Sequence, residues 1–112
     1  VCDYYSGMQV LVPLDLRLAG TSAEAVAAGI AEYYKEGATV SVHALNEALP
    51  ENGLYSNALS GSDRMELYMT VNAAGDQMML VSLFDNLGKG SSGAAIQCMN
   101  LMLGMDETEG LE

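Results

Sequence analysis

From Met8 to Leu18 apolar residues recur at every second position, as Met8, Val10, Val12, Leu14, Leu16 and Leu18, between Gln9, Leu11, Pro13, Asp15 and Arg17. A period of two predicts a strand with one buried face. Pro13 has no N–H for a ladder, which places this strand at an edge or at a bulge. Ala19-Gly20 ends it. Thr21-Ser22-Ala23-Glu24 then has the form of a capping box, opening a helix over about Ser22 to Glu36 that turns Val26, Ile30 and Tyr33 or Tyr34 toward the core. Gly37 is placed as its C-terminal cap. Ala38 to Leu45 alternates again and predicts a second strand. Asn46 to Ser62 is a long loop full of turn formers, a length that often marks function or an interface. Met65, Leu67, Met69 and Val71 alternate with Glu66, Tyr68, Thr70 and Asn72 in a third strand. Ala73-Ala74-Gly75-Asp76 is a hairpin turn, and Gln77 to Phe84 returns as the fourth strand.

The apolar run ends at Asp85-Asn86, side chains that hydrogen-bond their own backbone in turns. Gly88, Gly90 and Gly93 follow, allowing positive φ or a close approach of the backbone to another body. Gly88 to Gly93 spells G-x-G-x-x-G. A dinucleotide fingerprint would need a further parallel strand and an acidic ribose ligand after the helix, whereas Met105 to Glu112 is short and acidic. Two readings of the glycines stand: free N–H groups at a helix start, with Lys89 beside them, would favour an anion, or the loop serves only close packing. Residues 91–104 form a helix whose Ala94, Ala95, Ile96, Cys98, Met99, Leu101, Met102 and Leu103 leave almost no polar face, which predicts burial all round. Gln97 and Asn100 share one stripe with Gly93 and Gly104, and buried amides need partners.

The order β-α-β-β-β-α predicts an α+β domain, a mostly antiparallel sheet with helices on one face. A chain of 112 residues with 50% hydrophobic content suffices for one folded domain, here residues 1–112. Fifteen acidic against 4 basic residues give a net charge of −11, which opposes nucleic acid and anionic membranes. No apolar run approaches the roughly 20 residues of a membrane span. Cys2 and Cys98 make neither a disulfide framework nor a zinc site, and a reducing cytoplasm fits them.

His43, the single histidine, has no cysteine or carboxylate at ligand spacing and reads as a strand histidine in a satisfied environment. Cys98 reads as buried and inert within its helix, and Cys2 lacks a basic neighbour to stabilise a thiolate. The eight methionines are adaptable core filling. Asp106, Glu107, Glu109 and Glu112 read as a solvated acidic tail.

Asp85-Asn86-Leu87-Gly88-Lys89-Gly90, then Gly93-Ala94, Gln97, Met99-Asn100, Gly104 and Glu109-Gly110-Leu111, closely resemble the C-terminal end of the N-acetyl-gamma-glutamyl-phosphate reductases. Weaker similarity runs upstream through Leu49-Pro50 and Tyr55-Ser56-Asn57 to the strand from Met8 to Leu18. The resemblance implies the C-terminal domain of a glyceraldehyde-3-phosphate-dehydrogenase-like fold, in an enzyme of arginine biosynthesis. Such an enzyme reduces an acyl phosphate to an aldehyde with NADPH, through a cysteine thioester and a histidine acid/base. Neither catalytic motif is matched here, so the resemblance implies no catalytic residue and no metal ligand in this chain, and no turnover by the chain alone. It implies that Asn86 contacts the nicotinamide end of NADP, with Lys89 and Gly90 near cofactor or phosphate. An N-terminal Rossmann domain would cover the helix at 91–104, the sheet would join subunits in a homo-oligomer, and the small-molecule partner would be an acyl phosphate. The reading from another class is a stand-alone anion-binding or regulatory module that dimerises through its sheet.

Overall fold

The computed structural model describes residues 3–51 and 53–112. In chain order they form β1 (Met8–Asp15), α1 (Leu16–Ala19), α2 (Ala23–Tyr34), β2 (Val40–Leu45), β3 (Met65–Val71), β4 (Gln77–Phe84), a π-helical turn (Gly88–Ser92) and α3 (Gly93–Leu103). The strands make one sheet in the order β1-β4-β3-β2. β4 pairs antiparallel with β1 and with β3, whereas β2 and β3 run parallel. The fold is α+β as expected, but the sheet is mixed and not mostly antiparallel. Parallel neighbours need a connection that returns the length of a strand, and the long segment after β2 is that connection.

The first strand stops three residues earlier than its alternation suggests. Asp15 is the last residue of the ladder, and its carboxylate accepts the N–H groups of Arg17 (3.0 Å) and Leu18 (3.2 Å), capping the single turn of α1. Leu16, 2% exposed, is thereby turned into the core. Ser22, not Thr21, caps α2, accepting the Ala25 N–H at 3.2 Å. At the other end Lys35 is the cap, and Gly37 instead donates its N–H to the Tyr34 carbonyl. Pro13 lies in β1, opposite Met79, and β1 is an edge strand, where a missing N–H is tolerated.

Each face of the sheet carries its own apolar cluster. On one, Leu16, Ala23, Met69 and Met78 are buried, with Val26, Ala27 and Ile30 of α2 packed over them. On the other, Tyr68, Val81 and Leu83 are covered by Leu54 and Leu59 of the connecting loop. Burying a side chain such as Met69 or Leu83 stabilises by about 1.5–3 kcal/mol. Only α2 therefore fulfils the expectation of helices on one face. α3 has its main contact with the π-helical turn that leads into it. Among the described residues no helix is long and apolar enough to cross a membrane.

Candidate functional site

Asp85, at the end of β4, is 3% exposed and collects donors from three separate segments. Its Oδ2 accepts the Ser6 hydroxyl at 2.9 Å and the Gly61 N–H, while Oδ1 accepts the Leu87 N–H at 2.8 Å. Burial alone would raise its pKa; the N–H groups of Gly61, Leu87 and Gly88 and the Ser6 hydroxyl outweigh that and hold it below the usual aspartate range. The next residue, Asn86, accepts the Gly7 N–H at 2.8 Å through Oδ1. Tyr4 donates to Ser56 Oγ and the hydroxyls of Ser6 and Ser60 meet, both at 2.6 Å. Gly7 is what lets the leader cross so closely. Its φ is +127°, and a Cβ there would lie 2.5 Å from Asn57 Cα.

These contacts surround a cleft of about 500 Å³, lined by residues 4–9, Ser56 and Asn86. With Oδ1 engaged by Gly7, the Asn86 Nδ2 group has no partner among the described residues and is left as a donor at the cleft.

The other two residues singled out from the sequence stand elsewhere. Lys89 is half-buried, and its ammonium donates to Thr39 Oγ1 at 2.7 Å and to Gln97 Oε1 at 2.6 Å, so it joins the start of β2 to α3. Gly90 sits against the Phe84 ring, 3.0 Å from where a Cβ would be. Three N–H groups of the glycine segment are spent inside it. Gly90 donates to the Asp85 carbonyl, Ser92 to that of Leu87 and Gly93 to that of Gly88, closing a π-helical ladder that runs into α3. Gly88, Gly90 and Gly93 are absent from the glycines of positive φ, so close packing is their role. A Cβ on Gly88 would meet the Ser62 carbonyl oxygen at 2.6 Å.

α3 departs from the expectation of all-round burial. Asn100 is 2% exposed, but Met102 is 87% and Leu103 65% exposed, because nothing among the described residues covers that side. The half-buried Gln97 and the buried Asn100 find partners in the acidic tail. Gln97 donates to Glu107 Oε2 at 2.9 Å, and Asn100 donates to the backbone carbonyls of Glu107 (3.3 Å) and Glu109 (2.8 Å). The tail is thus folded onto the domain, which its composition did not suggest.

In sequence, the chain is 42% identical over 103 residues to N-acetyl-gamma-glutamyl-phosphate reductase of Burkholderia orbicola, covering 90% of this chain and 33% of that protein. It is related to the N-acetyl-gamma-glutamyl-phosphate reductases. The reductase of Rhizobium meliloti is 39% identical over 105 residues, which cover 92% of this chain and 34% of that protein. N-acetyl-gamma-glutamyl-phosphate reductase 2 of Pseudomonas putida is 38% identical over 109 residues, with 96% and 35% covered. The chain spans about a third of the length of these reductases. No protein-family profile matches it.

Neither Cys98 nor His43 lines the cleft. Cys98 is exposed on α3, which corrects the expectation of a buried thiol. Cys2 lies outside the described residues. His43 stacks on Tyr68, with ring centroids 3.9 Å apart, and its Nδ1 pairs with Glu47 Oε1 at 2.9 Å. Glu47, four residues on, is thus a carboxylate within reach, contrary to the expectation from spacing, because the chain leaves β2 in a turn that swings it back. Tyr68 donates to Glu66 at 2.8 Å, and its pKa is pushed up to about 12 by burial first and by Glu66 second. No three His, Cys, Asp or Glu side chains are grouped to hold a metal ion among the described residues.

Proposed function

We propose that the chain is the C-terminal part of an NADP-dependent reductase that converts N-acetyl-glutamyl phosphate to N-acetyl-glutamate semialdehyde. The observation that carries this reading is the relation over nine-tenths of the chain to a third of such reductases. In it, residues 1–112 are one domain of the glyceraldehyde-3-phosphate-dehydrogenase-like type, joined to an N-terminal Rossmann domain. The cysteine that forms the thioester and the histidine that moves protons belong to that missing part, so the chain alone does not turn over. The protein is cytoplasmic and assembles as a homo-oligomer through its sheet.

The cleft fits the nicotinamide end of the cofactor. Asn86 Nδ2 is a fixed donor there, and with Oδ1 held by Gly7 it can only donate, which suits the oxygen of a carboxamide. When bound, the dinucleotide supplies the hydride. Asn86 orients it; Lys89 and Gly90 support the site from behind, by tying the π-helical turn to β2 and by letting it rest on Phe84. The exposed side of α3 around Met102 and Leu103 is the surface offered to the Rossmann domain. The stand-alone anion-binding alternative has less to draw on, since the N–H groups of Gly90, Ser92 and Gly93 are spent within the π-helical turn.

The test is to express the encoding gene with all of its upstream sequence and to assay phosphate-dependent reduction of NADP with N-acetyl-glutamate semialdehyde, beside this chain alone. Activity confined to the longer protein supports the reading. A longer protein that is inert, or that lacks a Rossmann half, rejects it.

A further inference from the structure

Asp85 is a buried carboxylate with no cation at its side; the ion pairs among the described residues involve other groups. Its charge is met by neutral donors alone, each drawn from a different stretch of chain: Ser6 from the leader, Gly61 from the loop after β2, and Leu87 from the turn after β4. Ser6 gives its one hydrogen to Asp85, so in the contact with Ser60 the donor must be Ser60, and a relay Ser60 to Ser6 to Asp85 follows. Two oxygens are needed for this set. An asparagine would turn its NH2 group against at least one of the three donors, whichever way its amide were placed.

All three segments bear on the cleft. Ser6 and Asn86 line it, and Gly61 continues the loop that brings Ser56 to it. The leader is held twice by consecutive residues, at Ser6 by Asp85 and at Gly7 by Asn86. The Asn86 side chain is therefore fixed only as well as the leader it grips, and Asp85 fixes the leader.

We propose that Asp85 is a positioning residue of the cofactor cleft: its ionised carboxylate sets the leader, the 56–61 loop and the 87–88 turn in register, and so aims the Asn86 Nδ2 group at the ligand. The identity of that ligand as NADP(H) rests on the reductase reading. The carboxylate touches neither cofactor nor substrate; it acts through Asn86.

The experiment uses the full-length protein and measures NADPH binding, kcat, KM for NADP and thermal stability in wild type, Asp85→Asn, Asn86→Ala and the double variant. The expected result is that Asp85→Asn weakens NADPH binding and raises KM for NADP about tenfold, in a protein that still melts cooperatively. The double variant then binds no more weakly than Asn86→Ala alone, because both changes remove the same oriented donor. A role confined to holding the fold would instead lower the melting temperature and leave NADPH binding by the folded protein unchanged. Equal binding by wild type and Asp85→Asn, or losses that multiply in the double variant, overturns the proposal while leaving the reductase reading intact. A wild type that neither binds NADPH nor turns over rejects both. Should Asp85→Asn fail to fold, Ser6→Ala carries the test, since it removes one donor and keeps the carboxylate. A smaller loss in the same direction is expected, and binding equal to wild type overturns the proposal.

Discussion

The Cβ that any other residue would carry at position 93 falls 1.9 Å from Asp63 Oδ1, so Gly93 and the Asp63 carboxylate occupy adjoining space with no room between them. Asp63 in turn holds the tail, donating its N–H to the Glu112 carbonyl at 2.7 Å and accepting the Glu112 N–H at 3.1 Å. The bare backbone at the start of α3 is what allows the tail to be anchored there.

Helix propensity and packing thus oppose each other at this position. Alanine is better than glycine in a helix interior by about 1 kcal/mol, but here its methyl would displace Asp63 and break the tail anchor. Packing wins, and Gly93→Ala destabilises by about 1–3 kcal/mol in equilibrium urea unfolding. A variant as stable as wild type, or more stable, would show that Asp63 moves aside freely.

Tyr68 gives the domain an alkaline limit. Its folded pKa of about 12 lies above the ordinary tyrosine value of about 10. The stability this contributes is fully present below about pH 10 and is lost as pH rises through about 12. Tyr68→Phe gives up the bond to Glu66 yet has no phenol to ionise. Its unfolding free energy should fall less steeply than that of wild type between about pH 9 and 12, and an equal slope rules the assignment out.

Asn86→Ala in the full-length protein should lower kcat/KM about tenfold, the value of one oriented hydrogen bond of about 1.4 kcal/mol, with folding intact. Unchanged steady-state kinetics would remove Asn86 from the site.

Alternation was enough to locate β2, β3 and β4, because successive side chains of a strand point to opposite faces, but it did not show that both faces are covered, so that Tyr68 and Met69 are buried alike. It failed at the end of β1, where Leu14, Leu16 and Leu18 continue the pattern although Asp15 has already capped a helical turn. It could not show that β2 and β3 are parallel, since pairing direction is a property of the assembled sheet; the length of the loop after β2 was the available signal. The glycines were legible as points of close approach, but not the bodies approached, Ser62, Asp63 and Phe84. Asp85 read only as a turn former. Its local bond to Leu87 is real, yet its partner Ser6 lies 79 residues away, and no local pattern reports such a contact. The resemblance to the reductases was read chiefly from the residues around that turn, and Asn86 among them lines the cleft.

The placement of β1 also governs how the domain is made. Its strand neighbour is β4, and even their nearest residues, Asp15 and Gln77, are 62 positions apart. At about 5–20 residues per second on the ribosome, β1 waits roughly 3–12 s for its partner. Val10, Leu11 and Val12, still exposed in the finished fold, lack their β4 partners throughout that interval. Pro13, with no N–H to offer a foreign strand, acts as a gatekeeper for the nascent chain.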